Sequence, residues 1–146
     1  MRIRCAPVTT AHDLQTCMHI RHQVFVDEQQ VPLTEEQDGQ DDIARHFAAW
    51  DESGIIATCR VRLLGSAAKI ERVAVLKDLR NRGIGAILMR HVLQELGRLD
   101  DVRLFKLSSQ AHAMPFYERL GFRAHGPEYM DAGIPHYDMV MEKETL

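Results

Sequence analysis

The sequence predicts an α/β fold, a mixed central β-sheet of six to seven strands flanked by helices on both faces. Short β-branched runs alternate with longer stretches of helical period, and glycine, proline or acidic turn residues separate them. The stretch Lys69 to Arg90 condenses the pattern into a buried strand, a basic glycine turn and an amphipathic helix. At 146 residues the chain fits one domain, 1–146, long enough to bury roughly two-thirds of the surface its unfolded form exposes.

Met1 to Val8 reads as a first strand. Thr10 followed by Asp13 opens a helix whose apolar stripe is Leu14, Cys17, Met18, Val24 and Phe25. Pro32 interrupts it, and the acidic stretch that follows reads as a loop or short helix. Ala44 to Trp50 and Ile55 to Leu64 are two strands joined by a hairpin turn over Asp51, Glu52, Ser53 and Gly54. Gly65, Ser66 and Ala67 lead into the strand that ends at Val75. Ile84, Leu88, Val92 and Leu96 then recur at helical spacing in a helix running to about Leu99. Val102 to Ser108 reads as a fifth strand, and Met114 to Leu120 as a short helix with Pro115 in its first turn and Gly121 as its stop. Strands near Arg123 to His125 and over Pro135 to Glu142 complete the sheet.

Hydrophobic residues make up 45% and charged residues 27% of the chain, with no apolar run of membrane-spanning length and no signal-peptide pattern at Met1, so a cytoplasmic setting is expected. Cys5, Cys17 and Cys59 form no C-x-x-C pair, which argues against a disulfide framework or a zinc knuckle. The net charge of −3 hides an asymmetry: residues 27–42 hold Asp27, Glu28, Glu35, Glu36, Asp38, Asp41 and Asp42 with no Lys or Arg, and the remainder carries +4. Charge runs of this kind are usually solvated loops; one lining a substrate entrance would steer a cation toward it. Residues 60–90 are basic, with Arg60, Arg62, Lys69, Arg72, Lys77, Arg80, Arg82 and Arg90 against Glu71 and Asp78.

The turn Arg80, Asn81, Arg82, Gly83, Ile84, Gly85, Ala86 before a helix is suited to an anion, because a helix start aims unpaired N–H groups and its positive dipole end outward. Three ligands compete. A P-loop needs Gly-Lys-Ser/Thr, and Gly85 is followed by Ala86 and Ile87. A dinucleotide site needs a third glycine where Leu88 stands. An acyl-coenzyme A site remains.

Two blocks then resemble the GNAT superfamily of acyl-coenzyme A dependent N-acyltransferases. The first is E-R-V-A-V with R-N-R-G-I-G-A-I-L-M, Glu71 to Met89, similar to the family's fourth strand, pyrophosphate loop and third helix. The second is Gln110, Ala113, Phe116, Tyr117, Leu120, Gly121 and Phe122, similar to the family's polar residue, alanine and F-Y-x-x-x-G-F, with Gln110 where Asn is common. The resemblance implies one GNAT-like domain that moves an acetyl group from acetyl-coenzyme A to a primary amine; a catalytically silent acyl-coenzyme A sensing module is the alternative. It implies that Val73, Ala74 and Val75 border the pantetheine arm, with the main chains of Val73 and Val75 pairing with it like an added strand. Backbone N–H groups from Arg82 to Ala86 would hold the pyrophosphate, and Arg80, Arg82 and Lys77 would meet phosphates. Gln110, Ala113 and Phe116 would complete the coenzyme site.

An alkylammonium of pKa ~10.4 is only about 0.1% neutral at physiological pH, so a base or water chain must take its proton. The leaving thiolate is helped by an acid that stays protonated, and Tyr117 stands where the family commonly places one. Glu71 alternates with Val73 and Val75 on the fourth strand, which puts it on their face as a candidate base; its alternative is an ion pair with Arg60, Arg62 or Arg72. Glu28, in V-F-V-D-E-Q-Q-V-P, resembles a segment near the acceptor site in one branch of the superfamily, and His46 sits in a similarly familiar context, so both are expected at the substrate. No cysteine occupies an activating position, which favours direct attack in a ternary complex without an acyl-enzyme. His19 and His22 lack a third ligand, so no metal is expected. The acceptor is a small-molecule or peptide amine, with polyamines, aminoglycosides or lysine side chains favoured if the acidic segment lines the entrance. Nucleic acid and membrane partners are disfavoured, and homodimerisation is common in such folds.

Overall fold

The computed structural model describes all 146 residues. In chain order the elements are β1 (Arg4–Pro7), α1 (Ala11–Arg21), α2 (Leu33–Glu36), β2 (Arg45–Asp51), β3 (Gly54–Leu64), β4 (Ala67–Val75), α3 (Ile84–Gly97), β5 (Leu104–Gln110), α4 (Met114–Leu120), β6 (Arg123–Ala124), β7 (Tyr129–Asp131) and β8 (Ile134–Glu142). The strands form one sheet in the order β1-β2-β3-β4-β5-β8-β6, with β7 also paired to β8. Only β4 and β5 run parallel. The sheet is mixed as expected, and it gains an eighth strand because Tyr129–Asp131 pairs with Ile134–His136 through a tight turn at Ala132 and Gly133.

Local chemistry sets most boundaries. Thr10 caps α1 by accepting from the Asp13 amide at 3.1 Å. Asp51 accepts from the Ser53 amide at 2.8 Å and so closes the β2–β3 turn. Gly121, at φ 111°, ends α4 in the left-handed region. One long helix from Thr10 to Phe25 does not form. After Arg21 the chain loosens into a π-helical segment, His22–Glu28, whose end is marked by the Gln29 amide bonding the Val24 carbonyl five residues back at 3.2 Å.

The two faces of the sheet are unequal. α3 and α4 cover one side, where 20 buried residues including Ile84, Leu88, Val92, Phe105 and Met139 form the main core. α1, the π-helical segment and α2 cover the other, where the buried apolar cluster is only Ile20, Val24 and Ala74. Charged groups fill the rest of that side. No helix is long and apolar enough to cross a membrane.

Candidate active site

β4 and β5 pair from Ala67 opposite Leu104 to Ile70 opposite Leu107, and then separate although β4 continues to Val75 and β5 to Gln110. The parting coincides with a bulge. Arg60 faces Glu71, yet Thr58 faces Ala74, so one residue of β3 opposes two of β4, and Arg72 takes a left-handed φ of 54°. That conformation costs a non-glycine residue roughly 1–2 kcal/mol. The Arg72 guanidinium helps to hold it, donating to the Glu35 and Glu36 carbonyls at 3.2 Å each. Between the separated arms lies a cleft of about 870 Å³, bordered by β4 from Lys69 to Val75, the 80–86 turn, Ser108 to Gln110, Ala113, Phe116 and Tyr117.

The bulge overturns the simple alternation expected of β4. Glu71 does not share a face with Val73 and Val75: it joins Arg60 and Arg62 on the α1 side, whereas Val73 and Val75 pack against the main core. An extra residue shifts every following side chain to the opposite face.

At the anion end, α3 starts after Gly83 at φ 79°, and no side chain caps it, so its leading N–H groups point into the cleft mouth. The two glycines serve different ends. Gly83 supplies the left-handed turn, whereas a Cβ at Gly85 would sit 3.3 Å from the Phe116 ring. Arg82 is exposed beside them. Arg80 is already engaged: its Nη1 and Nη2 fork onto the Glu28 carboxylate at 2.7 and 3.0 Å, and its Nε donates to the Val75 carbonyl at 3.0 Å. Glu28 therefore faces the 80–86 turn and is not among the residues that border the cleft, where it was expected.

On the other arm, the Gln110 amide donates to Gln29 Oε1 at 2.7 Å, and its oxygen meets His112 Nε2 at 2.7 Å. Gln29 carries no motif and was not legible as a site residue; only its place after the π-helical segment brings it there. Tyr117 stands edge-on to Phe116 at 5.0 Å and to Phe122 at 6.2 Å. Burial, and then the nearby Cys59, push its phenol well above the ordinary tyrosine value. It is a protonated donor at any physiological pH.

Glu71 meets the opposite environment. Burial pushes its carboxyl up, but Arg62 at 2.6 Å and Arg60 at 2.9 Å outweigh that and hold it below the usual glutamate range. Lys69 stands 3.4 Å from the same carboxylate. This is the ion-pair alternative, and it leaves Glu71 a poor proton acceptor. The network extends into the acidic segment, where Asp38 takes Arg60 in a fork at 2.8 and 2.8 Å, Asp41 meets Arg21 at 2.8 Å, and Glu36 meets Arg21 at 2.7 Å. Arg60 holds Asp38 far below the ordinary aspartate value. Three of the seven acids, Glu36, Asp38 and Asp41, are thus folded down as counter-charge for buried arginines, while Glu35 stays exposed at the edge of the cleft.

His46 lies two strands away on β2, outside the cleft. Its Nε2 donates to the Asp41 carbonyl at 2.9 Å and its buried Nδ1 has no partner, so it supports the acidic segment and does not border the cleft. No cysteine lines the cleft, and burial pushes the Cys17 and Cys59 thiols up.

Residues 8–143 match the family model described as "Acetyltransferase (GNAT) domain". The Bacillus subtilis (strain 168) protein named "Uncharacterized N-acetyltransferase YjcF" is 35% identical over 130 residues, covering 88% of this chain and 92% of that protein. Among solved structures, an acyl-CoA N-acyltransferase from Pseudomonas aeruginosa superposes with a TM-score of 0.83 at 31% identity, covering 96% of this chain and 98% of that one. Escherichia coli ElaA superposes with a TM-score of 0.87 at 28% identity, covering 97% and 100%.

Proposed function

The chain belongs to the GNAT acetyltransferase family, and from that premise we propose that it transfers an acetyl group from acetyl-coenzyme A to a primary amine by direct attack in a ternary complex. The observation that carries this reading is the parting of β4 and β5 beside an uncapped helix start. An unpaired strand edge suits an extended amide chain, and open N–H groups at a helix dipole suit the pyrophosphate to which that chain is attached. The pantetheine arm would run along Val73, Ala74 and Val75. The pyrophosphate would sit on the N–H groups from Arg82 to Ala86, flanked by Asn81 and Arg82, with Arg80 released from Val75 and Glu28 to join it. Gln110, Ala113 and Phe116 would border the arm on the β5 side.

This arrangement would put the thioester near the point where the strands separate. A main-chain amide near Val73 would receive the oxyanion as the amine attacks, and Tyr117 would protonate the departing thiolate. The absence of a thiol from the cleft supports transfer without an acyl-enzyme. Glu71 is assigned an electrostatic task, fixing Arg60 and Arg62 and with them the bulge that opens the cleft. Because Glu36, Asp38 and Asp41 are neutralised by arginines, the pull of the acidic run on a cationic acceptor would come from Glu35 at the edge of the cleft and is weaker than seven free carboxylates would give.

The test is a melting curve with and without saturating acetyl-coenzyme A, with ATP and NADH as controls, followed by thiol release with a panel of primary amines. A rise with acetyl-coenzyme A alone, and thiol release dependent on amine, is expected. A rise without thiol release from any amine would identify a coenzyme-binding module instead, and no rise would remove the coenzyme site.

A further inference from the structure

Glu71 and Ser108 are the first residues beyond the last β4–β5 pair, Ile70 and Leu107, so they face each other at the base of the cleft. The amine must lose a proton in this region. Glu71 is unsuited to take it, with two guanidinium groups on its oxygens. Ser108 has the opposite character. Its hydroxyl is hydrogen-bonded to the Tyr129 hydroxyl, and Tyr129 donates to Asp138 Oδ1 at 2.7 Å. A phenol has one proton to give. Since Tyr129 gives it to Asp138, the Ser108 hydroxyl must donate to Tyr129, which leaves the Ser108 oxygen as an acceptor toward the cleft. Ser108 borders the cleft and Asp138 is exposed, so the chain of hydroxyls has one direction, from the reaction site to solvent.

We propose that Ser108, Tyr129 and Asp138 are the proton exit for the acceptor amine, Ser108 touching the amine and Tyr129 and Asp138 acting through it as positioning residues. The assignment rests on the N-acetyl transfer reading above. Before attack, one N–H bond of the ammonium breaks and its electron pair stays on nitrogen as the lone pair that then bonds to the thioester carbonyl carbon. Ser108 Oγ takes that proton while passing its own to Tyr129, and Tyr129 passes its own to Asp138, which loses it to water. The C–S bond then breaks with its pair on sulfur, and Tyr117 supplies the thiol proton. The nitrogen's second proton, made acidic by the new C–N bond, leaves by the same chain once Asp138 has passed the first to water, and only the first loss is bypassed when the amine arrives neutral.

The surroundings keep Tyr129 a conduit and not a store. Its ring stacks on His136 of β8 at 6.0 Å, and the charges facing it are Asp131 on its own strand and Asp138 on β8. Burial first, opposed by the Ser108 hydrogen bond, and then Asp138 and Asp131 leave its phenol above the ordinary value. Across from Ser108 stands Glu71, which Lys69, opposite Lys106 in the paired part of β4, approaches to 3.4 Å.

The test measures thiol release with Nα-acetyl-lysine amide and spermidine as amine probes at saturating acetyl-coenzyme A, from about pH 6.5 to about pH 10. Tyr129→Phe and Ser108→Ala should each lower kcat about tenfold or more near neutrality, with KM for acetyl-coenzyme A within about twofold. The loss should shrink as pH approaches the amine's own value of ~10.4, because the amine then arrives neutral. Tyr117→Phe should show no such recovery. Asp138→Asn, at an exposed site, repeats the test without risk to folding. Unchanged kcat in these variants, or a loss equal at every pH, overturns the relay while leaving acetyl transfer intact. Wild-type protein that binds acetyl-coenzyme A but releases no thiol with either probe overturns both.

Discussion

Tyr117 and Glu71 line one cleft and are driven in opposite directions by it. Burial without a charged partner keeps the Tyr117 phenol protonated, whereas two guanidinium groups keep Glu71 ionised despite its burial. A group held protonated suits the acid step, so Tyr117→Phe should lower kcat at least tenfold and leave the acetyl-coenzyme A dissociation constant nearly unchanged, as read by steady-state kinetics beside calorimetry. Unchanged turnover would remove it from catalysis. Glu71→Gln should act through stability. Arg60 is 0% exposed, and removing one partner of a buried ion pair typically costs about 3–5 kcal/mol. A large drop in melting temperature is therefore expected, where a base would instead change the pH profile. The two residues also differ in legibility. Tyr117 sits on a helix whose proline, spacing and terminal glycine all lie within a few residues of it. The partners of Glu71 come from β3, and theirs from the acidic segment, through a bulge that no local pattern announces.

The elements divide the same way. The Thr10 cap, the Asp51 turn and the Gly121 stop are local hydrogen-bond and φ requirements, and each was readable from neighbours in sequence. The π-helical segment and the bulge at Arg72 were not, because each answers to a contact made across the fold; β7 was missed although its turn at Ala132 and Gly133 is local. The π-helical segment has a mechanical consequence. Its last residue, Glu28, holds Arg80 on one side of the cleft, and the next, Gln29, holds Gln110 on the other. The carboxylate of Glu28 therefore occupies the guanidinium that a phosphate would claim. Removing that charge should favour the coenzyme: Glu28→Gln is expected to tighten acetyl-coenzyme A binding by about two- to fivefold, the range that exposed ion pairs supply. Arg80→Ala should weaken it. Calorimetric titration of both variants decides, and weaker binding by Glu28→Gln would mean that Glu28 orders the turn instead of competing for it.

At the scale of the molecule, the sheet is held by different forces on its two sides. The α3 side buries 20 core residues; the α1 side buries an apolar cluster of three and relies on Arg21, Arg60, Arg62 and Arg72 set against Glu36, Asp38, Asp41 and Glu71. This is where part of the charge asymmetry of the sequence goes, since Glu36, Asp38 and Asp41 of the acidic run are the counter-charge of arginines on α1, β3 and β4. Asp38, Asp41 and Glu71 all have folded values below the ordinary carboxylate range. A carboxyl lowered on folding adds stability that is complete above its unfolded value, ~3.9 for aspartate and ~4.3 for glutamate, and is lost as pH falls from there through the folded value. Acid should therefore loosen the α1 side first, below about pH 4, while the apolar side keeps its burial. Hydrogen exchange followed through that range should show amides of α1 losing protection before those of α3. Simultaneous loss on both sides would mean that the charged layer and the apolar core unfold as one unit.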